Sequence, residues 1–203
     1  MQRDAEWFAK RAGKFTGSRF AELMAKTKSG PSASRANLIV RLAVERILGT
    51  CVDTYQNAAM LRGIEMEAEA LAAYESYAGV LVEAVDFLEG PLPFVGCSPD
   101  GLVGDDGMVE AKCPTAEAKH FEALRSGAHA TEYRWQLQGN LWVGKRQWID
   151  AASYDPRFPA HLQLAVTRVE RDESAIQELE AACIKADAEV TAIVEWMNER
   201  KAA

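Results

Sequence analysis

Long apolar runs are absent from this 203-residue sequence. No stretch approaches the ~20 apolar residues that a membrane-spanning helix needs, and the charged segment with Arg3, Asp4 and Glu6 contains no apolar signal core. Linkers rich in Pro, Gly or Ser are absent too, while 48% of the residues are hydrophobic. We therefore expect one domain spanning residues 1–203, located in the cytoplasm and without membrane contact.

Cysteine and histidine are scarce and widely spaced. The four cysteines, Cys51, Cys97, Cys113 and Cys183, include no Cys-x-x-Cys pair, and the three histidines show no ligand spacing. Zinc and iron–sulfur sites are therefore not expected. Cys97 and Cys113 could become neighbours, but a cytoplasmic location favours buried thiols over a disulfide.

Positive charge is in deficit overall, and the net charge of -7 by itself argues against a polyanionic partner. The distribution is uneven, however. Residues 1–50 carry ten Lys or Arg against four Asp or Glu, whereas residues 51–203 carry thirteen against twenty-six. We therefore expect one basic patch that grips DNA, on an acidic body that supplies metal ligands.

The segment from Gly96 to Pro114 contains the residues that best support a functional prediction. An apolar run ends at Ser98-Pro99, and the proline forces the preceding residue toward extended geometry. Turn residues at 104–107 then separate two short strands, which predicts an antiparallel hairpin. Asp100 lies at the start of this hairpin.

Side chains alternate along the second strand of the hairpin, so Glu110 and Lys112 share one face. With Asp100 beside them, two carboxylates and an ammonium group meet, and such oxygen ligands suit a hard cation such as Mg²⁺. The same alternation is also common on solvated sheet faces, and an Asp followed by Glu-x-Lys arises by chance in acidic chains. Taken alone, the pattern favours that simpler interpretation.

The complete string changes this balance. Ser98-Pro99-Asp100-Gly101-Leu102, a hairpin and then Glu110-Ala111-Lys112-Cys113-Pro114 closely resembles the phage lambda-type exonucleases. These are viral recombinases within the restriction-endonuclease-like PD-(D/E)XK nuclease superfamily. The resemblance extends from Trp7 to Val169 and implies an α/β fold, with a central mixed β-sheet flanked by helices around a restriction-endonuclease-like core.

The resemblance also implies an activity. It predicts a Mg²⁺-dependent deoxyribonuclease that digests one strand of linear double-stranded DNA from 5′ to 3′ and releases 5′-mononucleotides. The remaining 3′ overhang would serve a partner, a single-strand-annealing recombinase. The resemblance further implies a ring-shaped homotrimer and two Mg²⁺ ions, with Mn²⁺ able to substitute.

The resemblance assigns metal-binding roles to four residues. Asp100 is expected to bridge the two ions, while Glu110 and the Ala111 carbonyl complete the first site. Gly63-x-x-x-Glu67, on a helix predicted for 57–77, matches the acidic residue that supports the second site directly or through water. Without the resemblance, Glu67 lies on a largely apolar face and needs a metal, a lysine or a structural salt bridge as partner.

Lys112 is the fourth residue of the predicted catalytic group, with Asp100, Glu110 and Glu67. An ammonium group beside carboxylates has its charged form favoured, so we expect the pKa of Lys112 to lie above its reference value of ~10.4. We therefore expect Lys112 to orient the attacking water and to stabilise charge rather than to act as a base.

A 5′-phosphate site is predicted near the start of the chain. Trp7-x-x-x-Arg11 and Thr16-x-Ser18 match the family's phosphate-binding segment, and Ser98 is assigned to the same group. Arg11 offers a fork of donors to an anion, and a helix start offers free N–H groups. Capping of a helix that extends to residue 25 is the simpler role for Ser18.

A second predicted DNA contact lies on a helix over 133–143. Tyr133, Gln136 and Asn140 fall on one face of it, which is unusually polar for a face that packs in a core. Gln136 also belongs to a Gln-x-Gln motif that matches the family. We therefore assign Tyr133 and Gln136 to DNA binding near the metals.

The other segments are predicted to be scaffold. They comprise a helix through Leu48 whose Arg35, Arg41 and Arg46 face DNA or solvent, a strand over 80–88, a helix over 115–125 capped by Thr115, strands over 148–154 and 162–169, and a final helix from Asp172 or Ser174 to about Arg200.

Two other functions stay open at this point. One is an endonuclease of the same superfamily, and the other is a non-catalytic DNA-end-binding scaffold.

Overall fold

The computed structural model describes residues 5–27, 30–52 and 58–200. In chain order its elements are α1 (Ala5–Arg11), β1 (Phe15–Thr16), α2 (Gly17–Met24), β2 (Lys26–Thr27), β3 (Gly30–Pro31), α3 (Ala33–Leu48), α4 (Ala58–Ala78), β4 (Leu88–Glu89), β5 (Val95–Cys97), β6 (Gly101–Val103), β7 (Gly107–Lys112), α5 (Glu117–Ser126), α6 (Ala128–Glu132), α7 (Arg134–Gly144), β8 (Trp148–Tyr154), β9 (Leu164–Glu170) and α8 (Glu173–Glu199). Within these described ranges, none of the helices is long and apolar enough to cross a membrane.

The central sheet has four strands in the order β6-β7-β8-β9. It is mixed, because β7 and β8 run parallel while the two outer pairs are antiparallel. The parallel pair requires a long crossover, which α5, α6 and α7 provide. β1, β5 and β4 form a separate three-stranded sheet. The predicted α/β class, mixed sheet flanked by helices, is confirmed.

Strand β7 is covered by a helix on each face. Alternation sends Met108 and Val109 to opposite sides. Met108 packs with Leu137 and Leu141 of α7, and Val109 packs with Tyr74 of α4. Each of these side chains is fully buried, which stabilises the fold by about 1.5–3 kcal/mol for a Leu or Met. The strand that carries the functional motif is therefore held firmly between two layers.

Helix boundaries follow local chemistry. The Ser32 side chain accepts a 3.2 Å hydrogen bond from the Arg35 N–H and begins α3, and Asp172 accepts one of 3.1 Å from the Ala175 N–H and begins α8. Gly79 ends α4 at a φ of 67°, a left-handed conformation that glycine adopts without strain. The predicted start of the final helix at Asp172 is confirmed.

Three scaffold predictions are wrong. Most of residues 80–88 is not a strand: the Val82 N–H donates to the Glu75 side chain, and only Glu83 forms a bridge, to Leu102. The helix after the hairpin begins at Glu117, with Ala116 rather than Thr115 at its cap position. Glu67 was expected on the apolar face of α4, but the buried face of α4 is centred on Ala70 and Tyr74. Glu67 therefore lies at the border of that face and is half-buried.

Candidate active site

The predicted hairpin is formed by β6 and β7, in which Gly101 lies opposite Val109. Asp100 immediately precedes β6, and its Oδ2 accepts a 2.7 Å hydrogen bond from the backbone N–H of Ala111. This bond fixes Asp100 beside the end of β7 that carries Glu110 and Lys112. The hairpin therefore brings together the three groups that the sequence motif singles out.

Glu110 is the most enclosed member of this group, with only 3% of its surface exposed. Its Oε1 accepts from Lys112 Nζ at 2.6 Å and from the Gln136 side chain, and its Oε2 accepts from Asn140 Nδ2 at 2.9 Å. Gln136 and Asn140 lie one turn apart on α7, so both amides reach the same carboxylate. The polar face of α7 thus meets the carboxylate of β7.

Asp100 carries an electrostatic penalty. Burial, followed by the negative charge of Glu110, raises the pKa of Asp100 well above its ordinary value, and Glu67 adds to the effect. Lys112 and the hydrogen bond from Ala111 act in the opposite direction but do not cancel it. The site therefore holds more negative charge than its one lysine balances, and a bound cation would relieve the excess.

Lys112 lies between the carboxylates and the aromatic ring of Tyr133, with its Nζ 4.9 Å from the ring centroid. Burial lowers the pKa of Lys112, but Glu110 and Asp100 together raise it, and the net pKa lies above the ordinary lysine value. This direction agrees with the expectation from the sequence. Lys112 is therefore protonated at neutral pH and can act as a hydrogen-bond donor and a positive charge.

Arg11 forms the centre of a second cluster. Its guanidinium donates to Ser98 Oγ at 3.3 Å and to Thr16 Oγ1 at 3.0 Å, and it lies 4.3 Å from the centroid of the Trp7 ring. Ser18 lies in the first turn of α2 and is exposed, whereas its neighbours Gly17 and Arg19 are buried. Thr16 occupies the N-cap position of α2 without capping it through its side chain, since its hydroxyl is used by Arg11.

A buried ion pair holds the segment that carries Arg11. Glu45 is fully buried and accepts from Arg19 at 2.9 Å and from the Gly13 N–H at 2.9 Å. Arg19 also donates to the carbonyls of Lys14 and Arg11, at 3.0 and 3.4 Å. These contacts fix the turn between α1 and β1, and with it the backbone from which Arg11 extends.

The two clusters are adjacent. A Cβ added at Gly17 would lie 3.8 Å from the Gln136 side-chain nitrogen, so the start of α2 faces the amide that contacts Glu110. Burial raises the pKa of the Cys97 thiol, and that pKa is further affected by both Glu110 and Arg11. The donors around Arg11 and the carboxylates of the hairpin therefore lie close to one another.

The expected basic patch is less available than the charge count indicates. Arg35, Arg41 and Arg46 are partly buried and pair with carboxylates of this chain, namely Glu189, Glu22 and Asp187. Much of the positive charge of residues 1–50 thus joins α3 to α2 and α8. Two of these partners, Glu189 and Asp187, are acidic residues that α8 presents to α3.

Residues 6–147 match the family model described as the YqaJ-like viral recombinase domain, which is more than half of the chain. The chain belongs to that family. No curated protein sequence is significantly similar to it.

Solved structures place this family member among exonucleases. The crystal structure of an alkaline exonuclease, LHK-Exo from Laribacter hongkongensis, is 40% identical over 97% of each chain, with a TM-score of 0.88. The same enzyme in complex with dAMP gives the same values. A phage-related exonuclease from Haemophilus somnus 129PT is 15% identical, over 91% of this chain and 96% of that chain, with a TM-score of 0.75, which supports the fold alone. Together, the family and its neighbours support a nuclease that acts on DNA.

Nucleases of this YqaJ-like family generally use divalent metal ions, and the residues of the site fit such an ion. Mg²⁺ is usually held by one or two carboxylates together with water and substrate phosphates. Asp100 and Glu110 supply the carboxylates. The raised pKa of Asp100 indicates that the surrounding negative charge is not balanced, and a cation would balance it. Among the described residues, no three or more His, Cys, Asp or Glu side chains are grouped closely enough to hold a metal. Glu67 adds to the raised pKa of Asp100, so it lies near this carboxylate, and its support of a second ion stays a prediction.

Two residues of this recombinase-family site were not given a role from the sequence. Asn140 was placed on the correct face of α7, and its position four residues after Gln136 is the signal that could have identified it as a partner of Glu110. Thr16, part of the Thr16-x-Ser18 match, accepts a hydrogen bond from Arg11. No pattern in the sequence indicates that second contact, because it depends on how α1 folds back.

Proposed function

We propose that the chain is a divalent-metal-dependent exonuclease that digests one strand of linear double-stranded DNA from 5′ to 3′. It would release 5′-mononucleotides and leave 3′ overhangs for a single-strand-annealing partner. One observation carries the proposal: the Arg11 cluster, suited to a terminal phosphate, adjoins the Asp100–Glu110–Lys112 cluster, suited to phosphodiester hydrolysis. An enzyme that removes nucleotides from a phosphorylated end needs both features.

Each residue would have a distinct task. Arg11, Ser98 and the first turn of α2, including Ser18, would hold the 5′-phosphate through charged and neutral donors. Lys112 would orient the attacking water and balance negative charge on the phosphate in the transition state. Gln136 and Asn140 would hold Glu110 in one orientation.

The proposed metal centre involves Asp100, Glu110 and the Ala111 carbonyl, with Glu67 in support of a second ion. When bound, Mg²⁺ or Mn²⁺ would stabilise charge on the phosphate and lower the pKa of water. Asp100 would supply a carboxylate to this centre, in keeping with the excess of negative charge around it. Two ions and a homotrimeric ring belong to the same proposal. A solution mass three times the 22.3 kDa of one chain supports the ring, and a mass of one or two chains excludes it.

The decisive experiment compares linear duplexes with covalently closed circles in the presence of Mg²⁺. We expect mononucleotides from the linear duplex, with loss of label first from the 5′ end, and no cleavage of the circle. Cutting of the circle would instead indicate the endonuclease alternative. Binding of ends without release of nucleotides would indicate the non-catalytic scaffold.

Arg11→Ala should remove the preference for phosphorylated ends. A hydrogen bond to a charged group contributes about 1.5–3 kcal/mol, so digestion of 5′-phosphorylated duplexes should fall about 10- to 100-fold, to the level seen with 5′-hydroxyl ends. Initial rates on both substrates measure the effect. Arg125→Ala, which removes an exposed arginine paired with Glu122 on α5, is the matched control and should leave both rates unchanged. Equal losses on both substrates for Arg11→Ala would contradict the assignment.

Lys112→Ala should slow turnover about 10²- to 10³-fold, because the transition state loses a positioned, charged donor. Lys112→Arg separates the two suggested tasks of this residue. If charge alone matters, the arginine variant retains near-normal turnover; if Lys112 must also orient water, it remains slow. Single-turnover rates on a 5′-phosphorylated duplex provide the measurement. Normal turnover by Lys112→Ala would exclude both tasks.

A further inference from the structure

The side chain of Lys112 has room to move. Its ammonium pairs with Glu110 at 2.6 Å, yet 26% of the side chain is exposed. Lys112 also lines a cavity of about 310 Å³, together with residues of α5 and α6. A lysine side chain is long and flexible, and holding it in one position is entropically costly. One ion pair with a neighbour on the same strand therefore does not fix the ammonium by itself.

The carboxylate that Lys112 contacts is shared among several groups. Glu110 Oε1 accepts from Gln136 as well as from Lys112, and Glu110 Oε2 accepts from Asn140. In the proposed function the same carboxylate also binds a cation, which competes with Lys112 for its oxygens. A lysine that orients water therefore needs a second restraint, and this restraint must not depend on Glu110.

The ring of Tyr133 has the position and the chemistry of such a restraint. Lys112 Nζ lies 4.9 Å from the ring centroid, within the ~6 Å over which the face of an aromatic ring attracts a cation. The ring is half-buried and packs against the cluster that includes Ala130 and Leu137. The Tyr133 N–H donates to the His129 carbonyl, and the Tyr133 carbonyl accepts from the Leu137 N–H, both at 3.0 Å. A firmly held ring thus contacts a flexible ammonium group.

We propose that Tyr133 is a positioning residue, whose ring holds the Lys112 ammonium beside the carboxylates of the hairpin. This rests on the proposed function, in which Lys112 orients the attacking water. It replaces the DNA contact that the sequence assigns to Tyr133, because the ring face on which a base would stack is covered by Lys112. Tyr133 therefore acts on the substrate through Lys112.

Tyr133→Leu keeps an apolar side chain but removes the aromatic face. We expect kcat on a 5′-phosphorylated duplex with Mg²⁺ to fall about 3- to 30-fold, while KM and the Kd for the duplex in EDTA stay within about twofold. Tyr133→Phe keeps the aromatic face and should restore most of the turnover. Tyr77→Leu, at an exposed tyrosine of α4, is the matched control and should behave as the wild type.

A combined variant shows whether Tyr133 acts through Lys112. Lys112→Met removes the charge and keeps the length of the side chain. If Tyr133 works by holding the ammonium, Tyr133→Leu adds no further loss of turnover to Lys112→Met. Losses that multiply, or a raised KM with weaker binding in EDTA, indicate a direct DNA contact and overturn the proposal. Full turnover by Tyr133→Leu overturns it as well.

The contact itself can be measured without catalysis. Urea unfolding in EDTA of the wild type, Tyr133→Leu, Lys112→Met and the double variant gives the coupling between the two side chains. We expect the unfolding constant of the double variant to be about 3- to 30-fold smaller than independent effects would give. Independent effects overturn the proposal. If the wild type does not degrade linear duplexes with Mg²⁺, the proposed function fails, and this coupling alone decides whether Tyr133 holds Lys112.

Discussion

Asp100→Asn is expected to reduce cleavage of linear duplex DNA at least about 1,000-fold. Charge stabilisation by a bound metal contributes several kcal/mol, and about 4 kcal/mol corresponds to three powers of ten in rate. Asn keeps the size of the side chain and can still accept from the Ala111 N–H, so the hairpin should stay intact. Turnover with Mg²⁺ on a 5′-phosphorylated duplex is the measurement. Asp105→Asn, in the exposed hairpin turn, should retain full activity.

The same Asp100→Asn substitution should make the metal-free protein more stable. Burial and Glu110 raise the pKa of Asp100, so the folded chain binds this proton more tightly than the unfolded chain. Wild-type stability therefore falls as the pH rises from the ordinary carboxyl pKa of ~3.9 toward the raised value. The variant lacks this loss, and its melting temperature in EDTA at neutral pH should exceed that of the wild type. A lower melting temperature would contradict the electrostatic description of the site.

Glu45→Gln is expected to destabilise the fold by about 3–5 kcal/mol. It leaves the Arg19 guanidinium buried without its counter-charge, which is far more costly than the loss of an exposed pair. Urea unfolding followed by circular dichroism measures the change. The residual folded protein should also lose preference for phosphorylated ends, because the Gly13 turn beneath Arg11 is released.

Glu178→Gln provides the comparison for Glu45→Gln. Glu178 pairs with Lys26 at 3.0 Å on the surface, and both side chains are at least half exposed. Such pairs contribute about 0–1 kcal/mol, so this variant should unfold close to the wild type. If the two substitutions had similar effects, Glu45 would not be the anchor of the Arg11 segment.

The meeting of Asp100, Glu110 and Lys112 can be predicted from the sequence because its geometry is local. Period-two alternation places Glu110 and Lys112 on one side of β7, and a short turn returns the chain close to Asp100. Helical periodicity likewise places Gln136 and Asn140 on one face of α7. The contact between this face and Glu110 depends on how distant segments pack together. Only the family resemblance could indicate it in advance.

Other features depend on contacts between distant segments, and the sequence misleads there. Residues 80–88 have the composition of a strand, but the Val82 N–H donates to the Glu75 side chain near the end of α4. Arg35, Arg41 and Arg46 are predicted to face DNA or solvent, but carboxylates of α8 and α2 pair with all three. A cavity of about 310 Å³ beside Lys112 and His129 is not predicted by periodicity, because four separate elements line it.

Helix α7 is fastened on both sides of its axis. While Gln136 reaches Glu110, the neighbouring Gln138 donates to the Glu170 carbonyl at 2.8 Å and accepts from the Asp172 N–H at 2.9 Å. The two amides thus hold α7 both to the strand that carries Glu110 and to the β9–α8 junction, and together they set the rotation of the helix. We therefore expect a change at the start of α8 to shift Gln136 and, with it, the orientation of the Glu110 carboxylate.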